Sequence, residues 1–117
     1  MGLSTHVLDT MHGAPAAGMA VALFATSGEA ARCLKQMVLN HDGRNPDGLL
    51  LSATELQRGT YRLVFDVAAY FKAMGVTLPE PNFLNQVTLD FGVADPAQHY
   101  HVPLLVSPRS YSTCRGS

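Results

Sequence analysis

The chain has 117 residues, enough for one hydrophobic core and little else. With 47% hydrophobic and only 15% charged residues, it has the composition of a folded domain and not of a disordered tail. Eight Lys and Arg against nine Asp and Glu leave a formal net charge of −1, which argues against nucleic acid or an anionic membrane as partner.

The N-terminal segment from Met1 to His6 has no basic stretch and no apolar run of signal-peptide length. No stretch of the chain approaches the roughly 20 apolar residues of a membrane span, so a cytoplasmic location is expected. Residues 4–9 read as a first strand, with Ser4, His6 and Leu8 on one face. Two further strands are expected over 19–26 and 32–39, apolar enough for strands but mixed on both faces. Asp42-Gly43 and Asn45-Pro46-Asp47-Gly48 then supply turn residues.

Tyr61, Leu63, Phe65 and Val67 alternate with Arg62 and Asp66, the period of a half-buried strand. One helix follows. Val67, Tyr70, Phe71 and Met74 recur at helical spacing, Asp66 is placed to cap the first turn, and Gly75 is placed to end the last. Val87, Leu89, Phe91 and Val93 mark another strand. Tyr100, Val102, Leu104 and Val106 mark the next, leaving His99, His101 and Leu105 on its other face. The tail over 111–115 suits a last short strand. Seven or eight short strands and one short helix, over residues 1–117 as one domain, predict an all-β, two-sheet sandwich.

Cys33 and Cys114 lie 81 positions apart with no zinc-type spacing; one disulfide is conceivable, and two free thiols fit an intracellular chain better. No P-loop, nucleophile elbow, dinucleotide fingerprint or paired-carboxylate motif is present. Chemistry, if any, falls to the histidines, the arginines and the chain end. His6 reads either as a strand-edge histidine or as a site residue. His99 and His101 share a strand face, either as a polar outer surface or as holders of a water or a metal, although no third ligand is spaced to complete a metal site. Arg44 follows a tight turn, where a solvated side chain is the ordinary outcome. His12, His41 and Lys35 read as surface residues.

Taken in order, several segments carry a resemblance. They are Leu3-Ser-Thr-His-Val-Leu-Asp-Thr10, Gly13 with Pro15 and Ala16, Asp42-Gly43-Arg44, and Gly59-Thr-Tyr-Arg62. Tyr100-His-Val-Pro-Leu-Leu-Val-Ser-Pro108 and Tyr111-Ser-Thr-Cys-Arg-Gly-Ser117 complete the set. Together they resemble the 5-hydroxyisourate hydrolases, the transthyretin-related proteins of urate breakdown, over essentially the whole chain. The resemblance implies a transthyretin-like sandwich of two four-stranded sheets. It also implies a homotetramer, a dimer of dimers, with sites at the interface between dimers. It places the catalytic set on His6, Arg44, His101 and Ser117, with Cys114 and Gly116 against the substrate, Arg115 either against the substrate or anchoring the tail, and no metal or cofactor. The implied reaction is hydrolysis of 5-hydroxyisourate to 2-oxo-4-hydroxy-4-carboxy-5-ureidoimidazoline. A non-catalytic, transthyretin-like small-molecule carrier is the alternative. One departure stands out: the family's Tyr-Arg-Gly-Ser ending reads Cys-Arg-Gly-Ser here, with Cys114 at the tyrosine position.

Overall fold

Alternating burial along the strands sets the architecture. In the computed structural model, which describes residues 1–116, strand β1 (Gly2–Asp9) buries Leu3, Thr5, Val7 and Asp9 and leaves Ser4, His6 and Leu8 half-buried. The chain continues through β2 (Ala14–Pro15), β3 (Ala20–Ala25), β4 (Arg32–Val38), β5 (Leu51–Ser52) and β6 (Gly59–Phe65). Helix α1 (Val67–Ala73) follows, then β7 (Val87–Val93), β8 (Tyr100–Val106) and β9 (Tyr111–Thr113). Ser117, placed in the site by sequence, lies outside the described residues.

Two sheets form. One runs β2-β1-β8-β9 with β5 also paired to β1; the other runs β4-β3-β6-β7. The two-sheet sandwich with one short helix is therefore borne out, with one correction. The first sheet is not four-stranded, because two residues of β5 pair with Gly2 and Leu3 at the start of β1. So short a segment leaves no alternation to read. Among the described residues all strand pairs are antiparallel except β1 with β8, which run parallel from Leu3 opposite Tyr100 to Asp9 opposite Val106.

Both sheets face the same core. Leu3, Val7 and Leu104 from the first sheet meet Leu23, Leu63 and Phe65 from the second, all fully buried. The strand expected to reach Val67 stops at Phe65, and Val67 opens α1 while remaining in the core. The helix buries Val67, Ala68, Tyr70 and Phe71 as its spacing predicts.

Asp66 does not cap α1 with its side chain. A first-turn donor is met instead by a loop, the Ala68 amide donating to the Asn85 carbonyl at 2.9 Å. The C-terminal end matches expectation. The Gly75 amide donates to the Lys72 carbonyl and the Val76 amide to that of Phe71, each at 3.0 Å, a Schellman closure. Among the described residues no helix is long and apolar enough to cross a membrane. Both Cys33 and Cys114 are free and exposed.

One buried polar cluster ties β1 to α1. The Asp9 carboxylate accepts from the Tyr70 hydroxyl at 2.7 Å, from the His12 amide at 3.0 Å, and from the His12 ring. His12 is thus more than the surface residue its sequence position suggests. Burial alone would raise the Asp9 carboxyl, but the hydrogen bonds from Tyr70 and His12 outweigh it and hold it below its ordinary value. Burial and the Asp9 carboxylate push the Tyr70 phenol up.

Because the folded carboxyl sits low, Asp9 stabilises the fold above its unfolded value of about 3.9. That stability is lost as pH falls through the lower folded value. Removing the phenol hydroxyl in Tyr70→Phe is expected to cost about 1–3 kcal/mol in urea unfolding at neutral pH. The deficit should shrink on acidification; a constant deficit at all pH values would count against the coupling to Asp9.

Candidate active site

The parallel pairing of β1 with β8 brings together side chains almost a hundred residues apart. Ser4 lies opposite His101, His6 opposite Pro103, and Leu8 opposite Leu105. Each of these points away from the core, because Leu3, Thr5 and Val7 on β1 and Tyr100, Val102 and Leu104 on β8 point into it. His6 and His101 therefore share the outer face of one sheet, set diagonally across two neighbouring strands.

Ser4 sits at the centre of this face. Its Oγ is 2.8 Å from His101 Nδ1 and 3.2 Å from His99 Nε2. The other ring nitrogen of His99, Nδ1, is buried without a hydrogen-bond partner among the described residues. An unmet buried group of this kind costs about 1–3 kcal/mol, so its presence beside a histidine pair calls for a reason. Burial lowers the His101 imidazole below its ordinary value, helped by the charge of Arg44 and by the His6 and His99 rings. His101 is thereby held neutral at lower pH than a free imidazole.

Arg44 reaches this neighbourhood through a docked turn. The Asn40 side-chain oxygen accepts from the Asp42 and Arg44 amides at 2.9 and 3.1 Å, and the Asn40 amide donates to the Arg44 carbonyl at 2.8 Å. The Gly43 carbonyl then accepts from the Val7 amide at 2.9 Å, fixing the turn against β1 one residue from His6. Gly43 has φ +72, and a Cβ there would lie 2.5 Å from the Val7 carbonyl oxygen and 3.1 Å from the Pro15 Cβ.

The C-terminal segment closes one side. Gly116 forms a two-way bridge with His101, its amide donating to the His101 carbonyl at 2.7 Å and its carbonyl accepting from the His101 amide at 3.1 Å. The Arg115 guanidinium turns elsewhere. It donates to the Gln98 side chain at 3.1 Å and to the His99 carbonyl at 3.0 Å, and lies 4.2 Å over the Tyr100 ring. Tyr100 belongs to the core-facing side of β8, so Arg115 secures the tail from the side opposite His101. Cys114 lines a cleft of about 470 Å³ bounded by β7 and β9.

Of the residues expected from sequence, His6, Arg44, His101 and Gly116 are gathered at one face, while Cys114 and Arg115 lie to the side. Ser4 and the specific contact of His99 were missed. Alternation did place Ser4 beside His6 and His99 beside His101, yet the register between β1 and β8 leaves no mark in the sequence. Among the described residues no three His, Cys, Asp or Glu side chains are grouped to hold a metal. Two imidazoles and a guanidinium on a half-exposed face suit activation of a water and stabilisation of an oxyanion.

The profile of the HIUase/Transthyretin family matches residues 3–116. A 5-hydroxyisourate hydrolase of Ralstonia nicotianae is 53% identical over 115 residues, covering 98% of this chain and 97% of its own. A 5-hydroxyisourate hydrolase of Pseudomonas aeruginosa is 49% identical over 115 residues, covering 98% and 90%. The structure of Klebsiella pneumoniae 5-hydroxyisourate hydrolase superposes with a TM-score of 0.79 at 32% identity, covering all of both chains.

Gly43 and Gly48 both have positive φ, but only at Gly43 would a Cβ strike neighbouring atoms; at Gly48 nothing lies within 4 Å. Each alanine substitution carries the left-handed backbone cost of about 1–2 kcal/mol. Gly43→Ala should lose more than Gly48→Ala in thermal unfolding, because it alone must push the turn off β1. Equal losses would mean that the turn is not held as described.

Proposed function

Since this chain belongs to the HIUase/Transthyretin family, we propose that it is an enzyme that hydrolyses 5-hydroxyisourate, acting as one domain over residues 1–117 in the cytoplasm. The observation that carries this reading is the face on which the β1–β8 register sets His6 and His101, with the Arg44 turn docked beside them. The relatives named for the same activity support it at about half identity over nearly the full chain.

The reaction opens the six-membered ring at the N1–C6 bond and yields 2-oxo-4-hydroxy-4-carboxy-5-ureidoimidazoline. It needs a water made nucleophilic, a place for charge growing on the C6 oxygen, and a proton for the departing nitrogen. The His6 and His101 pair supplies the first and third. An imidazole serves because its unperturbed pKa of about 6.5 lies close to working pH. Arg44 offers a fixed fork of donors to the oxyanion or to the ring edge of the substrate.

Gly116 is bridged to His101, and Ser117, which the resemblance assigns to the catalytic set, would complete the floor of the pocket. Arg115 anchors that tail. Cys114, which replaces the family's tyrosine, is a smaller and weaker hydrogen-bonding group, and the mechanism asks nothing of its sulfur. The site face also carries Leu8, Pro103 and the 39% exposed Leu105. A second dimer packed across it would enclose the substrate, as in the tetramer that the resemblance implies.

Stopped-flow absorbance of freshly generated 5-hydroxyisourate tests the site. His6→Ala and His101→Ala should each lower kcat by about 10²–10⁴-fold, the usual worth of general acid–base catalysis. Arg44→Glu should also fall sharply. Rates near wild type in all three would remove the site assignment.

A further inference from the structure

The contacts of Ser4 limit how protons can be arranged around His101. A serine hydroxyl carries one proton and two acceptor sites, and here it meets two ring nitrogens. Suppose first that the hydroxyl proton went to His99 Nε2. The ring's own proton would then sit on His99 Nδ1, a buried N–H with no acceptor among the described residues. Orphaned buried N–H groups are rare in folded proteins, rarer than under-satisfied acceptors.

Suppose instead that both rings donated to Ser4. The hydroxyl would then only accept within the cluster and send its own proton elsewhere, although its 2.8 Å contact with His101 Nδ1 has the length of a hydroxyl donor bond. One arrangement avoids both faults: His99 Nε2–H donates to Ser4 Oγ, and the Ser4 hydroxyl donates to His101 Nδ1. The distances agree. The 2.8 Å contact to His101 is the length typical of a hydroxyl donor, while 3.2 Å to His99 falls in the range of a ring N–H donor.

We propose that Ser4 and His99 are positioning residues that fix His101 as the tautomer protonated at Nε2, leaving His6 as the base of the pair. The unmet lone pair on His99 Nδ1 is the cost of that polarity. The inference rests on the hydrolase reading for its chemical meaning, and the tautomer itself is independent of it. With Nδ1 occupied by the Ser4 proton, His101 has no free lone pair for a water. Its Nε2–H has no partner among the described residues and is open to serve as a neutral donor toward the C6 oxygen.

His6 then takes the proton from water as oxygen adds to C6. When the C6–N1 bond breaks, the electron pair goes to N1 and His6 returns the proton there. His101 ends the cycle in the state in which it began. The charged and titratable groups around it, Arg44, His6 and His99, together with its burial, all favour its neutral form.

The test joins a spectrum to kinetics. In protein labelled with ¹⁵N-histidine, the wild-type His101 ring should show a proton on Nε2 and a bare Nδ1. A proton on Nδ1 in wild type would overturn the proposal. In Ser4→Ala the His101 ring should become a mixture of tautomers, with kcat down about tenfold and KM nearly unchanged. Ser4→Thr should recover most of the loss, since its hydroxyl occupies the same position. Unchanged tautomer and unchanged kcat in Ser4→Ala would equally overturn it. A wild-type protein that did not turn over 5-hydroxyisourate would bring down the hydrolase reading, while the wild-type spectrum would still decide the tautomer.

Discussion

Everything at the site depends on one parallel strand pair. β1 and β8 come from opposite ends of the chain, and their ladder from Leu3–Tyr100 to Asp9–Val106 is, among the described residues, the only parallel one in a fold of antiparallel neighbours. Parallel strands cannot be joined by a tight turn, so the rest of the fold serves as the connection between them. Because side chains alternate, a slip of one residue would turn either His6 or His101 into the core. The core enforces the register: Leu3 and Val7 on β1 and Leu104 and Val106 on β8 are each fully buried. Apolar packing on one face therefore sets the polar constellation on the other.

The remaining site elements are fixed to that pair by backbone contacts. The Arg44 turn reaches β1 through the Gly43 carbonyl, and the tail reaches β8 through Gly116. Arg115 acts as a fastener, holding the tail by two hydrogen bonds and by its stack on Tyr100. A similar logic applies at the far end of β1, where buried Asp9 joins the strand to Tyr70 of α1. Strand register, loop docking and tail anchoring are thus separate devices with one result, the surroundings of His101.

Much of this was legible in the sequence because faces are legible. Period-two alternation placed Ser4, His6 and Leu8 together and set His101 opposite the core-facing Tyr100 and Val102. Periodicity found α1, and Gly75 marked its end. What stayed hidden were relations between distant segments. Nothing in the chain says that Ser4 faces His101 and not some other residue, or that His99 bends its Nε2 toward the same hydroxyl. His12 read as a surface residue because its partner's other contact, Tyr70, lies 61 positions from Asp9. The failed cap at Asp66 has the same origin: Asn85, remote in sequence, supplies the carbonyl that Asp66 was expected to replace. Local rules give faces and ends; long-range pairing decides which faces meet.

The central claim is that this outer face performs hydrolysis and does not merely bind. The most direct measurement is the absorbance decay of freshly generated 5-hydroxyisourate with and without the wild-type protein. The account predicts decay faster than the spontaneous rate, in proportion to protein concentration and with the carboxylated ureidoimidazoline as product. Decay at the spontaneous rate, with the substrate bound but unchanged, would contradict it.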